Sequence, residues 1–174
     1  MAEAYADLLR HAVSLKNLCV GGYFAFLIRM GQEFINSFGV RFLRTEYDPQ
    51  HHWVHNDWQG VLTTENVIQG SKSILALLEH TRCPYMLNDN RLVQGSWKMA
   101  NDWLEHTMIP QAVAAGLRYH AHVTAPGVFG QASAEDLHLR VGDSLHMRLF
   151  EDMEEARHWL IEMQLADGHQ RGTP

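Results

Sequence analysis

The alternation of hydrophobic and polar positions predicts a β-α-β unit between Tyr85 and Thr124. A short apolar strand ends in the polar run 88–91, and apolar residues then recur at helical spacing from Ser96 to Ala115. Gly116 can supply the left-handed residue that ends this helix. From 117 to 124 apolar residues occupy every second position, which is the period of a strand with one apolar and one polar face. A helical connection of this length joins parallel strands.

The candidate binding residues cluster where the first strand of this unit ends. Asp89, Asn90 and Arg91 fall at the carboxyl end of a parallel strand, where open α/β sheets commonly bind ligands. Ser96 stands at the predicted start of the next helix. We therefore single out Asp89, Asn90, Arg91 and Ser96 as ligand- or partner-binding candidates. The alternative is that Asp and Asn bind turn amides here and cap the helix.

Two strands and a helix are predicted before this unit. The segments Val40–Tyr47 and Trp53–Gln59 are rich in β-branched and aromatic residues, and the turn residues at 48–50 between them indicate a β-hairpin. Thr63 or Thr64 can cap a helix that ends near Cys83-Pro84, because proline disfavours helical structure before it.

After the unit, a short helix from Ser133 to Val141, a strand from Leu145 to Leu149 and a helix starting at Asp152 are predicted. The element order indicates an α/β domain. Its mixed sheet would have about five strands, with an antiparallel hairpin followed by right-handed parallel crossovers, flanked by helices.

The predicted domain covers residues 37–166, with an extra helical arm at 1–36 and a frayed tail at 167–174. The arm carries the apolar segment Phe24–Ile28, which must be covered by packing on the domain or by a subunit contact. A homo-oligomer is therefore one expectation for this chain.

Composition and charge exclude several classes of function. The 174 residues are 46% hydrophobic, enough for a real core, and a net charge of −6 without a basic stripe argues against nucleic-acid binding. The apolar run Leu18–Ile28 is too short to span a bilayer. Only Cys19 and Cys83 are present, so no disulfide framework is expected and a reducing cytoplasm is favoured.

Histidines suggest metal binding, with a simpler alternative. His120 and His122 share one face of a strand and could share an ion if a third ligand joined them, while His51, His52 and His55 lie around the hairpin. Alternatively, His120 and His122 line the polar face of a strand, and His51 and His52 lie in a turn. We predict no metal site and no cofactor.

Catalytic motifs are missing from the sequence. It contains no Gly-x-Ser-x-Gly elbow and no glycine-rich phosphate loop. Its tryptophans could form the floor of an apolar ligand pocket or simply pack in the core. They are Trp53, Trp58, Trp97, Trp103 and Trp159.

From Val40 to Met163 the chain resembles the SpoIIAA-like proteins of the STAS fold, a bacterial, mostly uncharacterised group. The matching pieces are the hairpin closing on Trp58-Gln59-Gly60, Leu87-Asn88-Asp89-Asn90-Arg91, Asp102-Trp103-Leu104 with Ile109-Pro110, Ala115-Gly116-Leu117-Arg118, Phe129-Gly130-Gln131, and Leu149-Phe150-Glu151-Asp152 running into Ala156 and Trp159-Leu160. The resemblance implies a small mixed sheet flanked by helices. It also implies a non-enzymatic role in regulation or ligand binding.

Anti-sigma-factor antagonists of this fold carry a phosphorylatable serine in an Asp-Ser motif after the corresponding strand. This chain departs from the motif, because Asp89 is followed by Asn90 and Arg91 and Ser96 comes later. We expect Ser96 to be unmodified in cells.

The function expected from these observations is a cytoplasmic, non-enzymatic STAS-like domain that engages a protein partner or small ligand near residues 89–96. The alternative, suggested by the wider fold's resemblance to lipid-exchange domains of the CRAL-TRIO type, is a carrier of a lipid or other apolar ligand. A third class is an enzyme that uses Asp89 with a nearby histidine. A filled core would favour partner binding, and an empty apolar cavity would favour a carrier.

Overall fold

The computed structural model describes residues 31–171 of the chain. Residues 1–30, which hold most of the predicted arm, lie outside this part. The elements are β1 Gln32–Ile35, β2 Arg41–Asp48, β3 Trp53–Val61, α1 Thr64–Thr81, β4 Tyr85–Gln94, α2 over residues 98–114, β5 Tyr119–Val123, α3 Val128–Val141, β6 His146–Phe150 and α4 Met153–Arg171. Among these helices, none combines the length and hydropathy that a membrane span requires.

The predicted α/β class and mixed sheet are confirmed. The strands lie in the order β1-β2-β3-β4-β5-β6, with antiparallel pairing from β1 to β3 and parallel pairing from β3 to β6. The sheet has six strands where about five were predicted, because residues assigned to the helical arm form β1. This edge strand is short and mostly exposed, so its side chains show no clear strand period. The boundaries proposed for the arm and the domain stay a prediction.

Helix α1 follows the hairpin as predicted and lies very close to the sheet. Thr63 Oγ1 accepts a hydrogen bond from the Asn66 N–H at 3.2 Å, and Asn66 Oδ1 accepts one from the Thr63 N–H at 3.2 Å, which caps the helix in both directions. A Cβ on Gly70 would lie 2.6 Å from Leu43 Cδ2 and would also overlap the ring of Trp58. Glycine therefore permits the close approach.

Strand β5 is buried on both faces, so the predicted polar face is wrong. His120 and His122 are each 2% exposed, as deeply buried as their apolar neighbours. Helices α1 and α3 pack on one side of the sheet, and α4 packs on β4, β5 and β6 from the other side. A parallel sheet covered on both faces has no solvent side for its polar residues.

Helix α2 begins later than Ser96 and contains a wide turn. Its first turn, Lys98–Ala100, is a 3-10 helix, and Leu104–Met108 is a π-helical segment. Pro110 lacks the N–H that an α-helix needs at that position, and the Ile109 N–H bonds to the Leu104 carbonyl five residues back. The wide turn thus accommodates the proline inside a continuous helix.

Helix α4 continues beyond the point where a frayed tail was predicted. It runs to Arg171, and Asp167 is only 3% exposed. The Asp167 carboxylate accepts hydrogen bonds from Tyr85 Oη at 2.9 Å, Tyr119 Oη at 3.1 Å and Arg118 Nη1 at 2.9 Å. These donors come from β4, from β5 and from Arg118 just before β5, and they hold the end of the helix on the sheet.

Candidate functional site

Strand β4 runs past the end of its neighbour β5. Its pairing with β5 ends where Asp89 lies opposite Val123, but its pairing with β3 continues until Gln94 lies opposite Val61. The polar run 88–91, predicted to follow the strand, therefore lies inside it. Among residues 31–171, no strand pairs with the outer edge of β4 beyond Asp89.

A β-bulge interrupts β4 within this polar run. The step from Asp57 to Gln59 in β3 is matched by the longer step from Asp89 to Leu92 in β4, so β4 holds one extra residue there. Bulges re-aim side chains and occur often beside functional sites. Because side chains alternate along a strand, Asp89 and Asn90 lie on opposite faces of the sheet.

Asp89 and Arg91 form a two-point ion pair. Arg91 Nε donates to Asp89 Oδ1 at 2.9 Å and Arg91 Nη2 donates to Asp89 Oδ2 at 2.8 Å. The Arg91 backbone N–H also donates to Asp89 Oδ1, at 3.1 Å. Burial alone would raise the pKa of Asp89, but the hydrogen bonds and charge of Arg91 outweigh it and lower the pKa. Asp89 is thus an anion that fixes a half-exposed guanidinium.

Ser96 lies apart from the other candidates, at the contact between α2 and α3. Its Oγ is 3.0 Å from Ser133 Oγ and accepts a hydrogen bond from the Lys98 N–H at 3.3 Å. The Trp97 N–H donates to Ser133 Oγ at 3.2 Å. The structure therefore brings Asp89 and Arg91 together, whereas Ser96 joins the loop before α2 to Ser133 in the second turn of α3.

A surface cleft of about 420 Å³, here called the β4 cleft, lies between residues 91–95 and the loop and helix start at 126–130. Its walls carry the exposed apolar residues Leu92 at 61%, Val128 at 78% and Phe129 at 71% exposure. Arg91 borders it at the bulge. The cleft therefore joins an unpaired strand edge to an apolar surface.

A second space, the inner cavity, lies inside the domain between the sheet and helices α1, α2 and α3. Its volume is about 50 Å³. Apolar lining residues are Trp58, Leu62, Val67, Ile74, Met86, Leu104, Met108, Ile109 and Leu137, and the polar ones are Ser71, Asn88, Asn90, Trp97, His120 and His122. The candidate Asn90 opens into this cavity, on the opposite face from Asp89.

Several polar atoms in the lining have no partner within the described part of the chain. They are Asn90 Oδ1, Trp97 Nε1 and both ring nitrogens of His120 and His122. The two imidazole centroids are 5.7 Å apart. Burial lowers the pKa of His122 to about 4, and burial, reinforced by the neighbouring His122, holds the pKa of His120 well below its usual value. Both rings are therefore neutral near pH 7.

A row of hydrogen-bonded side chains crosses the sheet toward the inner cavity. Thr45 Oγ1 donates to Asn56 Oδ1 at 2.6 Å, and Asn56 Nδ2 donates to Asn88 Oδ1 at 2.6 Å. Asn88 pairs in register with His122 on β5. The row fixes the Asn88 amide oxygen on Asn56, and Asn88 itself lines the inner cavity.

The remaining chemical candidates are engaged or shielded. His51 Nδ1 lies 2.6 Å from Asp48 Oδ2, and the His52 ring bonds to the Tyr47 hydroxyl. Residues 31–171 contain no group of three or more His, Cys, Asp or Glu side chains that could hold a metal ion. Burial raises the pKa of the Cys83 thiol to about 11, so it is not a ready nucleophile.

Two of the tryptophans considered as a pocket floor, Trp58 and Trp97, line the inner cavity. Sequence reasoning missed the polar side of this cavity, although its pattern was visible. Asn88 and Asn90 stand two apart on β4, and His120 and His122 stand two apart on β5. Period-two polar residues on adjacent buried strands indicate a shared polar face. Trp97 could not have been assigned to it, because its indole reaches the cavity only through the loop before α2.

The sequence matches no protein-family model and no curated protein. Among solved structures, it is similar to the crystal structure of an uncharacterized protein from the DUF3478 family with a SpoIIAA-like fold, from Shewanella loihica. The two chains are 18% identical, the match covers 68% of this chain and 91% of that chain, and the TM-score is 0.48.

Proposed function

We propose that the protein is a non-catalytic, STAS-like binding domain that holds an extended, apolar segment of a protein partner in the β4 cleft. One observation carries the proposal. Strand β4 runs on to Gln94 while β5 stops opposite Asp89, which leaves a strand edge without a neighbour among residues 31–171.

An extended peptide suits this edge because its backbone can supply the missing strand. Main-chain hydrogen bonds then provide affinity, and alternate side chains provide specificity. Leu92, Val128 and Phe129 offer apolar contacts to the side chains that point into the cleft. Isolated exposed apolar residues are common, but a cluster beside an open edge marks an interaction surface.

The charge around the cleft favours an uncharged segment. Arg91 borders the cleft, and its charge is balanced by Asp89 through the two-point pair. The pair offers donors at a fixed position, suited to a backbone carbonyl of the partner. Asp89 then acts as a positioning residue for Arg91.

The chemistry of the described residues supports binding over catalysis. The Cys83 thiol is buried with a raised pKa, and the ring nitrogens of the neutral His120 and His122 hydrogen-bond to no side chain among residues 31–171. A nucleophilic mechanism requires a nucleophile within hydrogen-bond reach of its base.

The size of the inner cavity weighs against the carrier alternative. A volume of about 50 Å³ admits water-sized molecules, whereas sites for larger ligands enclose roughly 300 Å³ or more. An acyl chain has no room there, so we do not propose lipid transport.

The proposal is tested by selecting peptides from an unbiased display library on the full-length protein and measuring their affinity. Leu92→Asp and Phe129→Asp should each weaken binding by roughly tenfold or more, because a carboxylate would be buried against the apolar segment. The matched control is Leu139→Asp, which changes another exposed leucine, on α3 outside the cleft.

Backbone N-methylation of the selected peptides supplies the second arm, because it removes the donors that strand pairing needs. Methylation at alternate positions should abolish binding. Peptides that bind the Leu92→Asp and Phe129→Asp proteins unchanged, or that tolerate every N-methyl group, would contradict the proposal.

A further inference from the structure

The inner cavity concentrates polar atoms that the protein itself does not satisfy. Asn90, Trp97, His120 and His122 are each more than nine-tenths buried, and each presents at least one atom without a partner in residues 31–171. All four residues line the same space. Buried polar atoms are nearly always hydrogen-bonded in folded proteins, so this convergence indicates a guest molecule.

The guest must be uncharged. The lining contains no Asp, Glu, Lys or Arg side chain. Removing an ion from water into such a site is costly unless an opposite charge meets it. Asp89, the nearest carboxylate in the strand, lies on the other face of the sheet and is paired with Arg91.

The guest must both donate and accept hydrogen bonds. The Trp97 indole can only donate and Asn90 Oδ1 can only accept, while each neutral imidazole offers one donor and one acceptor. A purely apolar guest would leave all of these atoms unsatisfied.

The guest must also be small. The cavity of about 50 Å³ compares with a share of roughly 30 Å³ for one molecule in liquid water. It therefore admits one or two waters, or one compound with only a few non-hydrogen atoms.

We propose that the inner cavity is a binding site for a small uncharged molecule that donates and accepts hydrogen bonds, either solvent water or a compound of the simple amide class. The site is separate from the β4 cleft, so its failure leaves the proposed function untouched.

The test is nuclear magnetic resonance on the full-length protein labelled with ¹⁵N, with formamide as the probe for the amide class. The reporters are the Trp97 indole N–H and the ring nitrogens of His120 and His122. A nuclear Overhauser contact between the Trp97 N–H and a bound water would identify solvent as the occupant. Saturable shifts of all three reporters on adding formamide would identify the amide class. The control signal is the Trp159 indole, whose ring lies against Tyr119 on the opposite face of the sheet.

Substitutions in the lining provide the second arm. Asn90→Leu removes an acceptor at similar volume, and Trp97→Phe removes the indole donor. Each should weaken formamide binding by roughly tenfold, the effect of losing one hydrogen bond, and Asn90→Leu should also remove the water contact seen at the Trp97 N–H. His106→Phe, an exposed change on α2, is the matched control.

Two outcomes would overturn the proposal. The first is a dry cavity, in which the wild-type protein shows neither the water contact nor saturable formamide shifts. The second is displacement of the histidine signals by Zn²⁺ or Cu⁺ at stoichiometric concentration, which would make the site an ion site. If Asn90→Leu fails to fold, Trp97→Phe with the histidine reporters decides.

Discussion

Arg91 donates two hydrogen bonds, of 2.9 and 2.8 Å, to the Asp89 carboxylate at the bulge of β4. The pair is asymmetric, because the carboxylate is largely buried and the guanidinium is half exposed. Asp89 therefore orients the Arg91 guanidinium toward the β4 cleft.

Asp89→Asn should keep the fold, cost about 1 kcal/mol of stability and weaken peptide binding in the β4 cleft. The pKa of Asp89 is lowered in the folded state, so the wild-type advantage is present above about pH 4 and disappears as the pH falls through the folded pKa. Urea melts at pH 7 and pH 3 measure the loss of stability and its dependence on pH. Asp57→Asn, which loosens the neighbouring Arg41 pair, is the control for binding. Unchanged peptide affinity in Asp89→Asn would remove its positioning role.

Stability should fall steeply between pH 6.5 and pH 4 because of the inner-cavity histidines. Their pKa values are lowered, so folded protein keeps them neutral while unfolded chains take up protons below about pH 6.5. His122, with a pKa of about 4, contributes a loss on the order of 3 kcal/mol across this range.

His122→Leu should flatten that dependence, and His106→Leu on the exposed side of α2 should not. Denaturant melts at half-unit pH steps provide the measurement. An equally steep profile in His122→Leu would mean that other groups cause the acid loss.

Asp167→Ala should destabilise the domain by roughly 2 to 3 kcal/mol, since it removes the buried carboxylate that accepts hydrogen bonds from two tyrosine hydroxyls. Tyr85 and Tyr119 both donate to this carboxylate. Glu151→Ala, at an exposed acid, is the comparison in the same thermal melts. A loss equal to that of the control would show that the end of α4 contributes no stability.

Gly70→Ala should cost about 1 to 3 kcal/mol through overpacking, although alanine favours helices. The added methyl group would overlap Leu43 and Trp58. Lys72→Ala on the exposed side of the same helix reports the propensity effect alone. A stabilised Gly70→Ala protein would show that α1 can move away from the sheet without penalty.

The fold was largely predictable because each main element carries a local signal. The β2-β3 hairpin, the Thr63 cap and the helical crossover before β5 are all set by nearby residues. Strand β1 was missed because it is a four-residue edge strand with three exposed residues, which leaves no clear period. The start of α3 at Val128 was also missed, since Gly127 precedes it without a capping side chain.

The candidate site was only partly predictable because it depends on relationships between strands. Local order shows that Asp89 and Arg91 share a face, since they stand two apart. The order of residues cannot show that β4 extends past the end of β5, which creates the cleft. It also cannot show that the covering helices bury His120 and His122. The alternation of apolar and polar residues in β5 indicated a solvent-exposed face, but helices cover that face in the structure.

The Thr45–Asn56–Asn88 row crosses the boundary between the antiparallel and parallel halves of the sheet. An amide that loses its partner while still covered is costly, so β3 cannot separate from β4 while α1 remains in place. The hairpin and the crossover unit must therefore open together. Backbone amides of β2, β3 and β4 should exchange with solvent deuterium as a single cooperative unit, with none of the early release usual for a peripheral hairpin.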